Sequence, residues 1–249
     1  MKTTIHYKKE VYNIDLSKPL DISISIKGNH SNVNAWYIEE PKIIPHSEGE
    51  FIGKVSEGAS TNFNDIWFNP HAHGTHTECV GHITEEFHSV NQNLKQFFFL
   101  AELITIAPEK LGDDFVISKK QLQYAIKNSK CKALVIRTIP NLKEKLSKQY
   151  SNTNPPYLLE EAAKFLVEIG VEHLLIDLPS VDKEKDEGKL LAHNTFWNTS
   201  GQLREEATIT EFIFVDNTIK DGRYMLNIQV APFENDASPS RPVLYKIEQ

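Results

Sequence analysis

The chain has 249 residues, and its 27 lysines and arginines against 34 aspartates and glutamates give a formal charge of -7 at pH 7. This acidic balance argues against a protein whose main task is to hold nucleic acid or an anionic membrane. A hydrophobic fraction of 40% is enough for a folded core and excludes wholesale disorder. The chain starts without an apolar signal segment, its longest apolar stretch is too short to cross a bilayer, and it has only two cysteines, so we expect a cytoplasmic protein.

Near the N-terminus, short apolar segments at 11–16 and 21–26 predict two strands joined in a hairpin, with Ile22, Ile24 and Ile26 alternating along the second. In the second half, the run ALVI at 133–136 predicts a buried strand. Helical spacing of apolar residues follows at 157–169 and is ended by Gly170.

The segment VEHLLID at 171–177 predicts a further strand, parallel to 133–136 across the intervening helix. A helix over 189–197 and strands over 209–215, 223–231 and 243–247 complete the pattern. We therefore predict one α/β domain over residues 1–249. Because the chain has no GxGxxG or Walker-type loop, we do not expect a nucleotide cofactor.

Histidine is concentrated in one short segment of the chain. Five of the ten histidines fall within eighteen residues, namely His71, His73, His76, His82 and His88. If 75–82 is extended, His76, Glu78 and His82 project to one face, while Cys79 lies on the reverse side as a buried thiol. Imidazole and carboxylate groups bind divalent first-row metals, so the pattern predicts a metal site.

Residues 71–82, HAHGTHTECVGH, resemble the signature His-x-Gly-Thr-His-x-Asp-x-Pro-x-His of the cyclase family of metal-dependent hydrolases, which includes bacterial kynurenine formamidase and isatin hydrolase. The segment DLS at 15–17 and the segment DLPSVD at 177–182 resemble two further motifs of that family, in the same order. The resemblance implies a mixed β-sheet or barrel-like core with flanking helices, of the swivelling β/β/α type. It also implies a divalent metal ion, zinc or manganese.

The signature departs from the family pattern at three positions. Glu78 stands where the family has Asp, which keeps the carboxylate, and Val80 stands where it has Pro. Ala72 stands in place of the first His, with His71 and His73 on either side. Neither shares the face of His76 unless the strand breaks before Gly74. We favour His71, which follows Pro70, as the replacement ligand and keep His73 as the alternative.

The resemblance also implies a His and a Glu from the C-terminal half of the chain. The matching positions are His193, in the predicted helix, and Glu211, which interrupts the apolar strand at 209–215. A buried carboxylate needs a partner, and a metal or an imidazole is suitable. Glu205 and Glu206 stay open as alternatives to Glu211.

The resemblance implies a hydrolase that acts on a C–N amide bond, a formamide or a lactam, in a small and aromatic molecule, with His82 or His193 as acid and base. This arylformamidase-like activity has two competitors. One is a lyase or cyclase that adds no water. The other is a metal-binding homologue without catalysis. The reason to consider it is Ala72, which stands where the family has the first His of its signature. We expect the partners to be a small-molecule substrate and further copies of this chain in a dimer or tetramer.

Overall fold

A computed structural model describes residues 1–127 and 131–248 of the chain. Within these residues, eighteen strands are formed: β1 (Lys2–Tyr7), β2 (Glu10–Asp15), β3 (Leu20–Asp21), β4 (Lys42–Pro45), β5 (Ser47–Glu48), β6 (Phe51–Ile52), β7 (Asn64–Trp67), β8 (His76–Glu78), β9 (Phe98–Ile106), β10 (Glu109–Leu111), β11 (Asp114–Ile117), β12 (Ala133–Thr138), β13 (Tyr157–Leu158), β14 (His173–Ile176), β15 (Thr208–Glu211), β16 (Gly222–Asn227), β17 (Ala237–Pro239) and β18 (Val243–Glu248).

Five α-helices accompany the strands in the described part of the chain: α1 (Pro70–His73), α2 (Val90–Asn93), α3 (Lys119–Ala125), α4 (Glu160–Glu168) and α5 (Leu191–Trp197). Three short 3-10 helices lie at Val55–Glu57, Val80–His82 and Lys143–Leu146. The helix α3 begins with a capping box, in which Ser118 and Gln121 satisfy each other's backbone N–H groups.

The fold is built on a mixed sheet of eleven of these strands, in the order β1-β2-β18-β16-β9-β12-β14-β15-β8-β17, with β3 paired to β18. The central strands β9, β12, β14 and β15 run parallel. The strands outside them pair antiparallel, including β8 against β15 and β17 against β8. The predicted α/β class with a mixed sheet and flanking helices is therefore confirmed.

Each face of the central sheet is covered by its own apolar core. On β12, Leu134 and Ile136 pack into the core that contains α4 and α5, whereas Val135 packs into the opposite core. On β14, Leu174 and Leu175 divide in the same way. Strands that are buried on both faces explain why these segments are continuously apolar in the sequence.

The elements predicted for the second half of the chain are formed, with bounds that differ by a few residues. The strand at 133–136 becomes β12, and 171–177 becomes β14, parallel to it. The helix predicted over 157–169 starts three residues later as α4, because Tyr157–Leu158 pairs with β11 as a strand. The strand predicted over 209–215 ends at Glu211, where Phe212 turns the chain with a φ of 54°.

The N-terminal hairpin between 11–16 and 21–26 was predicted wrongly. The strand β2 pairs with β1 across a tight turn, in which Tyr7 faces Glu10, and on its other side it pairs with β18. Residues 22–26 form no hairpin strand, because their backbone is bonded elsewhere, as when the Ile22 N–H donates to Pro242 O. The alternation of Ile22 and Ile24 reflects burial under the sheet.

In the described part of the chain, no helix combines the length and the apolar composition that crossing a bilayer requires.

Candidate metal centre

The histidine segment is divided among three short elements. Asn69 caps α1 by accepting the His71 N–H at 2.9 Å, and Pro70 takes the first helical position, where no N–H is needed. The chain is extended only over β8, after which Val80–His82 forms a turn of 3-10 helix. The strand expected over 75–82 is thus shorter, and the break before Gly74 that the His71 hypothesis requires is present.

The turn at Val80–His82 depends on a glycine. A Cβ atom at Gly81 would overlap the carbonyl oxygen of His88, where the returning chain passes close by. Only glycine allows this approach. The turn curves the chain after β8, and so brings the ring of His82 back toward the carboxylate of Glu78.

The Glu78 carboxylate lies at the middle of the cluster and is fully buried. His71 Nδ1 lies 3.1 Å from Glu78 Oε2, and His193 Nε2 lies 3.1 Å from Glu78 Oε1. The Nε2 atoms of His76 and His82 each lie 3.9 Å from Glu78 Oε2. Four imidazoles therefore direct one nitrogen each toward a single carboxylate.

Glu211 contributes a second carboxylate from the end of β15. Its Oε2 lies 3.5 Å from His76 Nε2, and its Oε1 lies 3.8 Å from His193 Nε2. The antiparallel pairing of β15 with β8 sets Glu211 directly opposite His76. The Val181 N–H donates to Glu211 Oε1 at 2.8 Å, which fixes the carboxylate beside the DLPSVD loop.

Each of these imidazoles is also held at its far nitrogen. His76 Nδ1 donates to Gly74 O at 3.0 Å, and His193 Nδ1 donates to Asp182 Oδ2 at 2.6 Å. The far nitrogens of His71 and His82 lie 2.8 and 3.2 Å from Asp236 Oδ2. With the far nitrogen protonated, the near nitrogen of each ring presents a lone pair to the centre.

All six residues predicted as metal ligands, His71, His76, Glu78, His82, His193 and Glu211, meet at this place. His73 does not: its Nδ1 accepts the Asn69 N–H, and its Nε2 donates to Glu39 O, so both ring nitrogens are used by backbone. Glu205 and Glu206 are exposed, whereas Glu211 is buried.

Cys79 takes no part in the centre. Its side chain is buried, and its Sγ lies 3.4 Å from His88 O. Burial raises the pKa of the thiol to about 11, so it stays protonated and unreactive near neutral pH.

The carboxylates packed around His71 and His193 raise the pKa of both imidazoles. Burial lowers the pKa of an imidazole, but at His71 the contacts with Asp236 and Glu78 outweigh burial and raise the pKa to about 10. At His193, burial is likewise outweighed by its carboxylate partners, and the pKa rises to about 10. Burial raises the pKa of Glu78, yet the surrounding imidazoles, His82 first, hold it well below its usual value. Without a cation, the charged forms of His71 and His193 offset part of the carboxylate charge.

The donor set fits a divalent cation. His76 Nε2 and Glu78 Oε2 are buried polar atoms without a hydrogen-bond partner, and both face the centre. Potential ligand atoms of His71, His76 and Glu78 lie within 4.8 Å of one another, as do those of Glu78, His82 and His193. A cation between them would satisfy lone pairs that otherwise face one another.

Two carboxylates of the cluster, Asp182 and Asp236, were not among the predicted site residues. Asp182 ends the DLPSVD motif and precedes α5, whose Ala192 N–H donates to Asp182 Oδ1 at 2.8 Å. Its place in that motif was the available signal. Asp236 lies 154 residues from His82 along the chain, with no motif around it, and reaches the site through the pairing of β17 with β8.

With fold and geometry defined, comparison with known proteins identifies the family. The sequence profile of the putative cyclase family matches residues 14–183, which include the histidine segment and the DLPSVD loop. This chain belongs to the cyclase family. No curated protein matches it significantly in sequence.

Solved structures share the fold at low sequence identity. A potential metal-dependent hydrolase with cyclase activity has a TM-score of 0.68 and 16% identity, over 93% of this chain and 99% of the other. An isatin hydrolase bound to the product analogue thioisatinate has a TM-score of 0.64 and 15% identity, over 93% of both chains. Isatin hydrolase A from Labrenzia aggregata has a TM-score of 0.67 and 12% identity, over 93% of this chain and 94% of the other.

Proposed function

We propose that the protein is a metal-dependent hydrolase that cleaves a C–N amide bond, in a formamide or a lactam, of a small aromatic molecule. Membership of the cyclase family and the fold shared with isatin hydrolases support this proposal. The observation that carries it is the pair of buried atoms without a hydrogen bond, His76 Nε2 and Glu78 Oε2, within a ring of inward-facing imidazoles.

His71, His76, Glu78, His193 and Glu211 would hold the ion, and His82, the sixth residue of the set, faces the same centre from its more exposed side. Imidazole nitrogens and carboxylate oxygens suit zinc and manganese alike, and the one nearby thiol, Cys79, is turned toward His88 O. When bound, a divalent ion acidifies water toward neutral pH and polarises a carbonyl group. The protein's part is to hold and orient the reactants and to move the protons.

His82 is the better placed of the two histidines expected to move protons. Its side chain is 29% exposed, and its Nε2, at 3.9 Å, is not hydrogen-bonded to Glu78. His82 Nε2 takes a proton from the attacking water and gives it to the amine nitrogen as the C–N bond breaks. His193 is 2% exposed, with both nitrogens engaged, so it serves mainly to hold the ion.

Aromatic side chains lie close in sequence to residues of the centre. The rings of Phe68 and Phe233 lie 6.3 Å apart, three residues before His71 and Asp236 respectively. Trp67, 47% exposed, packs at 5.6 Å on the ring of His73. Exposed aromatic rings beside a polar centre favour a flat, apolar substrate.

The mass of the product tests the reaction type. N-formylaniline-type formamides and isatin-type lactams are incubated with the metal-loaded protein, and products are analysed by mass spectrometry. A hydrolase gives products that have gained the elements of one water. Turnover without that gain identifies the lyase or cyclase alternative. A metal-loaded protein that turns over no formamide, lactam or ester favours the non-catalytic homologue.

The segment 43–67 supports our proposal that the chain associates with further copies of itself. Its large apolar side chains are 38–61% exposed: Ile43, Ile44, Phe51, Ile52, Val55, Phe63, Ile66 and Trp67. Exposed apolar side chains concentrated in one segment favour a role of that segment in an interface. Light scattering should give two or four times the chain mass of 28.4 kDa.

The cysteines are in keeping with a proposed cytoplasmic location. Cys79 and Cys131 are both free and buried, as expected for a chain that folds under reducing conditions. Fractionation of cells that express the protein tests this proposal directly.

A further inference from the structure

Asp236 occupies an unusual position, because one of its oxygens contacts two imidazoles of the centre. Asp236 Oδ2 lies 2.8 Å from His71 Nε2 and 3.2 Å from His82 Nδ1. The opposite nitrogens of the same rings, His71 Nδ1 and His82 Nε2, lie 3.1 and 3.9 Å from Glu78 Oε2. Two imidazoles therefore stand side by side between an outer and an inner carboxylate.

The arrangement of the rings shows what Asp236 does there. His71 and His82 stack with centroids 4.2 Å apart and an angle of 26° between their planes. Their outer nitrogens, His71 Nε2 and His82 Nδ1, both approach the same oxygen, Asp236 Oδ2. Each ring can donate its outer N–H to that oxygen, which leaves the lone pair of its inner nitrogen facing Glu78.

The backbone holds Asp236 firmly in this position. The Cys79 N–H donates to Asp236 O at 3.0 Å, and the next residue, Ala237, pairs with Glu78 between β17 and β8. The strand β8, which carries the inner carboxylate Glu78, thus also fixes the position of the outer carboxylate, Asp236. Asp182 has the corresponding contact with His193 Nδ1 on the buried side of the centre.

We propose that Asp236 is a positioning residue, which fixes the tautomer and orientation of both His71 and His82 so that their inner nitrogens face the metal. This inference rests on the proposed metal centre and adds to it a residue outside the segment that the family profile matches. Carboxylates that accept the outer N–H of a ligating histidine typically contribute a factor of about 10–100 in metal affinity.

The test compares Co²⁺ binding by the wild-type chain and the Asp236→Asn variant, measured by competition with a chelator and by the visible absorption of bound Co²⁺. We expect the variant to bind about 10–100-fold more weakly, with the same number of ions per chain and an absorption spectrum of similar shape. Glu234→Gln is the matched control, because Glu234 lies in the same loop and bonds Asn91 and Gln92 instead of a histidine. It should bind Co²⁺ as the wild type does.

Unchanged affinity of Asp236→Asn would overturn the positioning role, and loss of one ion per chain would overturn it in favour of direct ligation. Asp236→Glu, which keeps the charge, should recover part of the affinity and provides a second variant if Asp236→Asn does not fold. A wild-type chain without measurable Co²⁺ affinity would overturn the metal centre itself, so the two failures are distinguishable.

Discussion

The centre has two halves that differ in burial and in the elements that hold them. The inner half, with side chains 0–4% exposed, consists of His76, Glu78, His193 and Glu211. The outer half, with side chains 19–29% exposed, consists of His71, His82 and Asp236. Paired strands and α5 hold the inner half, whereas short helical turns and a loop hold the outer half. Burial suits the inner half to holding an ion, and exposure suits the outer half to meeting substrate.

The largest expected effect separates proton transfer from metal binding at the outer half. His82→Ala should lower turnover by about 10²–10⁴-fold, the usual range for a general acid and base, while most of the metal is retained. Metal content and single-turnover rate are measured on the same preparation. If metal content falls in step with the rate, His82 acts as a ligand, and an unchanged rate removes it from the mechanism.

The neighbouring histidines His71 and His73 provide a matched pair. His71→Ala should weaken metal binding by more than the roughly 100-fold that an outer partner contributes, because Nδ1 faces Glu78. His73→Ala should leave metal affinity unchanged and cost about 1–3 kcal/mol of stability, since the partly buried N–H of Asn69 loses its acceptor. Chelator competition and chemical denaturation distinguish the two. The reverse pattern would assign the ligand to His73.

Asp182→Asn tests the inner half in the way that Asp236→Asn tests the outer half. The variant should bind metal about 10–100-fold more weakly, because His193 Nδ1 loses its charged acceptor. Equal losses in Asp182→Asn and Asp236→Asn would mean that burial does not distinguish the two halves. No loss in Asp182→Asn would show that α5 alone orients His193.

The smallest effect concerns pH and the metal-free protein. The pKa of His193 is raised from 6.5 to about 10 in the fold, so its charged form contributes stability that is complete below pH 6.5 and lost as pH rises through 10. The difference in Tm between chelator-treated wild type and His193→Asn should therefore narrow from pH 7 to pH 10. A difference that is constant over this range would contradict the raised pKa.

Local sequence patterns predicted the residues of the centre better than the connections around it. The alternation of His76 and Glu78 is a property of β8 itself, and the break before Gly74 follows from the helical turn at Pro70. The curve at Val80–His82 depends on Gly81, where a Cβ atom would overlap the carbonyl oxygen of His88. These features depend on residues that are close in sequence.

Features that depend on long-range pairing were missed or mistaken. Asp236 reaches the site only because β17 pairs with β8, more than 150 residues away in sequence, and no local motif signals this pairing. The N-terminal hairpin was wrong partly for the same reason, because one neighbour of β2 is β18 from the far end of the chain, although its other neighbour, β1, is adjacent in sequence. Periodicity shows which side of a segment is buried, but it does not show which strand lies beside it.

Metal content of the His76→Ala variant tests the central claim most directly. His76 Nε2 is buried, unpartnered and turned toward the centre, so its loss should remove most of the bound divalent metal measured by elemental analysis. His30→Ala is the matched control, because His30 has a side chain 97% exposed and should keep wild-type metal content. A folded His76→Ala protein that retains its full metal content would contradict the account.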